Sequence, residues 1–441
     1  MSNEIVTTLK QGPMRPFQIL AVTICIVINM LDGFDVLVVS FTAPIISEEW
    51  GLEPQAIGIL LSSGLFGMAA GSLFLAPLAD YIGRRDLILW CLSIISIGML
   101  ASAFTNSVLQ LSIMRIFTGL GIGGMLASIT TMTAEYSSDR REGFNISLVQ
   151  SGYPIGATIG GTIAAFLIIS LGWRSVFIFG AICSAVMMPV VYRFLPESVE
   201  YLLDRKPKSA LAQVNLILIK LGKPLLQKLP DTSQSEHGRM SVFALTNSNL
   251  RIQTLLIWSG FFMVMLSFYF VLSWTPTLLS EAGLRVEQGI SGAVLMNIGG
   301  VLGGTSLGFL STKYPAHRLT VYNMLACAIF MTIFGWIEAS LGLMLFIGFV
   351  IGFFVFGSMI GLYSLAPALY PVRIRNTGMG WAIGIGRLGA ILGPSAAGYL
   401  LSRGWSGADC FIAFSVPLLI AMLAVLALSQ QSESITIHSS T

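Results

Sequence analysis

Charge is what this chain has least of. Of its 441 residues only 10% are Asp, Glu, Lys or Arg, against about 25% in soluble domains. That shortage argues against a soluble enzyme, a nucleic-acid binder and a disordered protein. The net charge of +3 is too small to suggest an anionic polymer as partner, so no nucleic acid is expected. Histidine is nearly missing as well. His237, His317 and His438 fall in a hydrophilic loop, a turn and the C-terminal tail, which removes histidine-based catalysis and HExxH metal sites. The five cysteines form no CxxC pair and lie in or beside apolar runs; they read as small packing residues, not as a disulfide framework or zinc site. No nucleophile elbow stands in a plausible loop. The expectation is no enzyme, no metal and no cofactor.

What is present is apolar length: 55% of the residues are hydrophobic. Runs long enough to cross a bilayer cover 17–46, 55–82, 87–104, 108–136, 144–171 and 176–194. A second six cover 252–279, 289–310, 319–337, 341–369, 378–401 and 408–428. Each is too long and too continuous for a barrel strand, so the fold class expected is an all-α polytopic membrane protein of twelve transmembrane helices. The domains read as a cytoplasmic tail at 1–16, a six-helix half at 17–195, a cytoplasmic central loop at 196–250 with short amphipathic helices, a second half at 251–429 and a cytoplasmic tail at 430–441. The first run is too long for a signal-peptide core and should stay as a span. With both termini inside, 19 of the 24 Lys and Arg residues fall on the cytoplasmic side and three outside (Arg174, Arg285, Arg403). An even number of spans per half makes the halves parallel repeats. FTAPIISEEWGL at 41–52 and SWTPTLLSEAGL at 273–284 match without a gap at a shift of 232 residues, the mark of duplication.

Within the spans a few ionisable residues stand out. Asp32 and Asp35, in NMLDGFDVLVV of the first span, lie three apart on one helix face. An ionisable group at bilayer depth costs about 2.5–3.5 kcal/mol on insertion scales. Two close carboxylates resist ionising together, which suits a proton-coupling site; a hydrogen-bonded structural pair is the alternative. Arg387, in WAIGIGRLGAILGP of the eleventh span, must find an anion, either a protein carboxylate or a bound one that its fork grips in bidentate fashion. Arg115 opens RIFTGLGIGGM in the fourth span and can pair with Asp32 or Asp35; the glycines behind it offer a smooth packing face. In the fifth span Gln150 precedes SGYPIGATIGG and, with Arg115, is a further candidate for contacting a bound ligand. Tyr153, Tyr269, Trp274 and Trp381 are candidates for stacking on a ring.

The turn APLADYIGRR at 76–85 carries a second group. Gly83 gives the tight turn and Arg84 and Arg85 stay at the inner surface. Asp80 is placed to bond a helix N-terminus or an arginine such as Arg140, as a latch in one state of a gate. Glu135 closes the fourth span near Arg140 and Arg141 and reads as an interfacial ion pair.

These motifs resemble the major facilitator superfamily: APLADYIGRR its signature between spans two and three, RIFTGLGIGG its span-four signature, LPESVEYLL one after span six. Within it, DGFD, YFVLSWTPTLL and GIGRLGAILGP resemble the aromatic acid:proton symporter family. Ala76 stands where the loop signature has glycine, Tyr81 where it has a basic residue, and Glu200 where an arginine is common. The second-half loop has Thr312 in place of the aspartate. The resemblance implies uptake of benzoate-like or hydroxybenzoate-like anions with protons, in a bacterial inner membrane, by a monomer driven by the proton gradient. It implies functional roles for Asp32 and Asp35, for Asp80, Gly83 and Arg84, for Arg375 at the start of span eleven, and for Arg387. A non-aromatic mono- or dicarboxylate, or a chemoreceptor on a transporter fold, are the competing readings.

Overall fold

The computed structural model describes residues 10, 12–222, 225–229, 250–281, 283–311, 313–336, 341–370 and 375–439, with backbone alone at 368, 375–376 and 430–439. Six long helices come first: α1 (Pro16–Trp50), α2 (Pro54–Phe74), α3 (Arg84–Ala103), α4 (Val108–Glu135), α5 (Glu142–Leu171) and α6 (Arg174–Phe194). Two short ones, α7 (Val199–Arg205) and α8 (Ala210–Leu221), occupy the central loop. Then follow α9 (Arg251–Glu281), α10 (Val286–Leu310), α11 (Ala316–Trp336), α12 (Leu341–Leu369), α13 (Arg375–Ser402), α14 (Gly407–Ala413) and α15 (Val416–Ser439). The chain is all-α; no strand occurs among the described residues.

Among the described residues eleven of the spans are long and apolar enough to cross a membrane, α14 and the first part of α15 together forming one of them. The twelfth expected span, α13, has 28 residues, about 42 Å of helix at 1.5 Å per residue. Its glycines and Arg387 keep it outside the apolar set. The helices start and stop on local chemistry. The Ser107 hydroxyl caps α4 by accepting from the Gln110 N–H, and the Ser198 hydroxyl caps α7 by accepting from Tyr201.

Helix contacts are made through absent side chains. A Cβ added at Gly67 or Gly71 of α2 would strike the carbonyl oxygens of Ile116 or Leu120 in α4. One at Gly389 or Gly393 of α13 would strike those of Phe262 or Leu266 in α9. Small residues let backbones meet where lipid supplies no hydrophobic drive.

Packing gathers the chain into two compact units. Unit 1 holds Met1–Val36, Phe66–Ala157 and Arg174–Gly238; unit 2 holds Leu37–Leu65, Thr158–Trp173 and Arg239–Thr441. These units cut across the linear division at 195 and 251, because parts of α1, α2 and α5 pack with the later helices. Within unit 2 the Ser62 hydroxyl donates to the Ile391 carbonyl at 2.7 Å, and Ser395 donates to Ser62 at 2.7 Å.

Candidate functional site

In unit 1, α1 presents Asp32 and Asp35 one turn apart. Each is 1% exposed, and all four carboxylate oxygens are buried with no hydrogen-bond partner among the described residues. An ionised carboxylate in such surroundings lacks the compensation that a fixed charge needs. Arg115 of α4 is buried beside them. Its Nη2 donates to the backbone carbonyl of Asp35 at 2.6 Å and its Nη1 to the Met99 Sδ at 2.8 Å, and its guanidinium lies 5.8 Å from the centre of the Phe177 ring. Arg115 thus interacts electrostatically with the Asp35 carboxylate while its hydrogen bond goes to the backbone carbonyl of the same residue. Gly180 of α6 makes room for it: a Cβ there would lie 3.1 Å from Asp35 Oδ1.

The α1 backbone is held close to α5. A Cβ on Gly33 would collide with the Tyr153 carbonyl, and one on Gly156 with that of Met30. Asn29 Nδ2 donates to the Val149 carbonyl at 2.6 Å. Tyr153 is half-buried and Gln150 exposed on the same helix.

Unit 2 carries the other group. Arg387 sits near the middle of α13, half-buried, with no hydrogen bond or ion pair to its side chain among the described residues. Tyr363 of α12 lies close enough to interact electrostatically with both Arg387 and Tyr269. The Phe261 ring meets Tyr363 edge-on at 5.3 Å, Phe268 meets Tyr269 at 5.2 Å, and Trp258 stacks on Trp381 at 5.9 Å. Trp381 is 42% exposed, and the buried Trp258 Nε1 has no partner among the described residues. Trp274 departs from the expectation. It is fully buried and donates from Nε1 to the Pro394 carbonyl at 2.9 Å, so it ties α9 to α13 and offers no free ring face. Neither Tyr363, a lone tyrosine with no signal around it, nor Trp258 is singled out by the sequence.

The APLADYIGRR turn also finds its partners. Gly83 has φ +100°, and a Cβ there would meet the Glu197 carboxylate. Glu197 Oε1 accepts the N–H groups of Arg84, Arg85 and Ser198 at 2.8–3.0 Å. Arg84 pairs with Glu135, donates to the Ser198 hydroxyl at 2.8 Å and reaches Glu200 at 3.1 Å. Burial pushes the Glu197 carboxyl above its ordinary value, against the downward pull of those three N–H groups. Glu135 thus pairs with Arg84, and not with Arg140 or Arg141. The expected Asp80–Arg140 latch is absent among the described residues; instead Arg205 Nε donates to the Asp80 backbone carbonyl at 2.9 Å. Arg85 contacts Asp86 at 3.4 Å. The Arg375 side chain and Thr312 lie outside the described residues. Glu197 and Ser198 lie in the LPESVEYLL motif, but neither is singled out by the sequence; a glutamate next to a span end in so uncharged a chain is the signal that points to them. Among the described residues no cluster of His, Cys, Asp or Glu could hold a metal.

Residues 25–367 match the Major Facilitator Superfamily. The chain belongs to the major facilitator superfamily. It is a multi-pass membrane transporter and not an enzyme. It is 31% identical over 417 residues to the gallate transporter of Pseudomonas putida, covering 94% of this chain and 92% of that one. It is 30% identical over 429 residues to the 4-hydroxybenzoate transporter PcaK of the same organism, covering 96% and 95%. The inward open structure of the xylose transporter XylE from E. coli shares the fold at TM-score 0.72 and 17% identity, over 92% of this chain and 94% of that one.

Proposed function

We propose that this transporter carries an aromatic carboxylate such as 4-hydroxybenzoate, protocatechuate or benzoate into the cell together with protons. It works by alternating access in the bacterial inner membrane, as a monomer with both termini cytoplasmic. The observation that carries the reading is the unpaired guanidinium of Arg387 at mid-helix, beside Tyr363, which in turn neighbours Tyr269. A half-buried arginine in a span is best compensated by an anion, and its fork fits a carboxylate. The tyrosine pair and the Trp258–Trp381 stack supply flat apolar surface for a ring. The relatives named for gallate and 4-hydroxybenzoate support the choice of an aromatic acid. Asp32 and Asp35 accept and release the protons. Substrate compensates Arg387 and protons compensate the aspartates, so the loaded protein carries fewer bare buried charges and reorients more readily than the half-loaded one.

The test is internal pH in proteoliposomes on adding external 4-hydroxybenzoate, with protein-free liposomes as the control for leak of the weak acid. Protein-dependent acidification that saturates with 4-hydroxybenzoate, recurs with benzoate and is absent with succinate is expected. Acidification with succinate and none with 4-hydroxybenzoate would replace the aromatic substrate with a dicarboxylate. Saturable binding of 4-hydroxybenzoate without flux would make the protein a sensor.

A further inference from the structure

The starts of α1 and α5 lie together in unit 1, where Asn145 Nδ2 comes within 3.2 Å of the Met14 Sδ. Between the segment leading into α1 and the turn joining α4 to α5 is an open cavity of about 830 Å³. Lys10, Met14, Asp139, Arg140 and Arg141 are among its lining residues. The leading segment is fastened across it. Lys10 Nζ pairs with Glu142 at 2.7 Å, and the Asp139 N–H donates to the Lys10 carbonyl at 3.1 Å. The Lys10 charge is therefore already balanced. Arg140 and Arg141 are exposed, and among the described residues their side chains have no hydrogen bond or ion pair. Two guanidinium groups face one carboxylate in this cavity, Asp139.

Exposed apolar side chains follow the cavity's lining residues along the chain. Just past it, the first turns of α1 and α5 expose Ile19, Leu20, Phe144 and Leu148, with Phe144 67% exposed. On α8, Leu216 and Ile219 are also exposed, and Lys220 Nζ sits 5.7 Å from the centre of the Phe17 ring. An apolar helix with outward leucine and isoleucine suits a membrane interface. On α1 and α5 the exposed apolar side chains therefore come within a few positions of the cavity-lining residues.

We propose that this cavity binds an anionic phospholipid, with its phosphodiester on Arg140 and Arg141 and its acyl chains along Phe144, Leu148, Ile19 and Leu20. Arginine forks fit phosphate oxygens, and basic pockets at the inner surface are suited to anionic headgroups. The excess of positive charge selects a net-negative lipid over a zwitterionic one. The apolar rim selects a lipid over free phosphate.

Native mass spectrometry of the delipidated full chain, titrated with phosphatidylglycerol, phosphatidylethanolamine or phosphatidylcholine, tests this. One phosphatidylglycerol should be retained in preference to either zwitterionic lipid. The Arg140→Gln/Arg141→Gln double variant should lose about thirty-fold in that affinity, at about tenfold per 1.4 kcal/mol and about 1 kcal/mol per basic residue. The corresponding double Lys variant should keep most of it. Equal retention of all three lipids, or undiminished retention by the folded Gln variant, would overturn the proposal. Displacement of the lipid by millimolar inorganic phosphate would turn the site into a free-anion site. If the Gln variant does not fold, the wild-type preference decides alone: it should vanish at high ionic strength, and a preference unmoved by salt refutes a site built on these charges.

Discussion

Arg387 allows the sharpest test of how the transporter holds its substrate. Its guanidinium is half-buried in α13 and takes no partner among the described residues, so nothing has to be broken before a carboxylate binds. A bidentate grip makes two charge-assisted hydrogen bonds, each about 1.5–3 kcal/mol. Partial solvent access places both at the low end, about 3 kcal/mol together. Arg387→Ala should therefore raise the apparent KM for 4-hydroxybenzoate by about two orders of magnitude. Arg387→Lys keeps the charge and gives up the fork, and should raise KM by about tenfold. Initial rates of labelled substrate uptake in proteoliposomes, at matched protein density, give both numbers. The neutral 4-hydroxybenzamide serves as internal control, since its competition against labelled substrate has no carboxylate to lose and the Lys variant should leave it unchanged. An Ala variant with KM within threefold of wild type would remove Arg387 from the carboxylate site. A Lys variant as impaired as Ala would mean that charge alone is not what the site uses.

Other outcomes follow from single contacts. Asp35→Asn preserves the backbone carbonyl that Arg115 uses, so exchange of labelled for unlabelled substrate should survive while accumulation driven by a pH gradient is lost; accumulation that persists would place the proton elsewhere. Because burial raises the Glu197 carboxyl above its ordinary 4.5, the folded state binds its proton more tightly than the unfolded one, and stability should fall as pH rises through the interval between the two values. Glu197→Gln should flatten that part of the Tm-against-pH curve, and equal slopes would contradict the burial argument. Trp274→Phe should lower the Tm through loss of the bond to Pro394, about 1 kcal/mol, with KM unchanged; a raised KM would return Trp274 to the substrate site.

Most of the architecture was legible because bilayer thickness writes itself into run length. The spans read from the sequence reappear as helices, and the central loop contains the short helices expected of it. The aspartates and Arg387 were legible for a related reason: a charge in an apolar run is expensive and therefore conspicuous. Partners were much less legible. Arg115 is expected beside an aspartate and lies beside Asp35, but its hydrogen bond goes to the carbonyl of that residue, a choice that depends on sub-ångström placement between α1 and α4. Glu135 was expected near Arg140, its sequence neighbour, and meets Arg84 because the segment after α6 folds back under the turn. Trp274 reads from the sequence as a stacking candidate; only the Pro394 carbonyl facing it shows it as a tie between α9 and α13. Tyr363 gave no sign at all, since a tyrosine in an apolar helix is unremarkable until its neighbours are known.

The composition of α13 has a consequence for how the protein is made. An arginine at a helix centre costs about 2.5–3.5 kcal/mol on insertion, and each leucine returns only about 0.3–0.6. The seven leucines and isoleucines of α13 return about 2–4 kcal/mol at that rate, which leaves the helix near balance when it leaves the translocon alone. Docking on helices already in the bilayer then tips the balance, and the backbone-to-backbone seam at Gly389 and Gly393 provides the docking face on α9. Biogenesis of the last third of the chain is then sequential and cooperative. A bulky residue in that seam would be felt first as a helix left out of the membrane, before any question of transport arises.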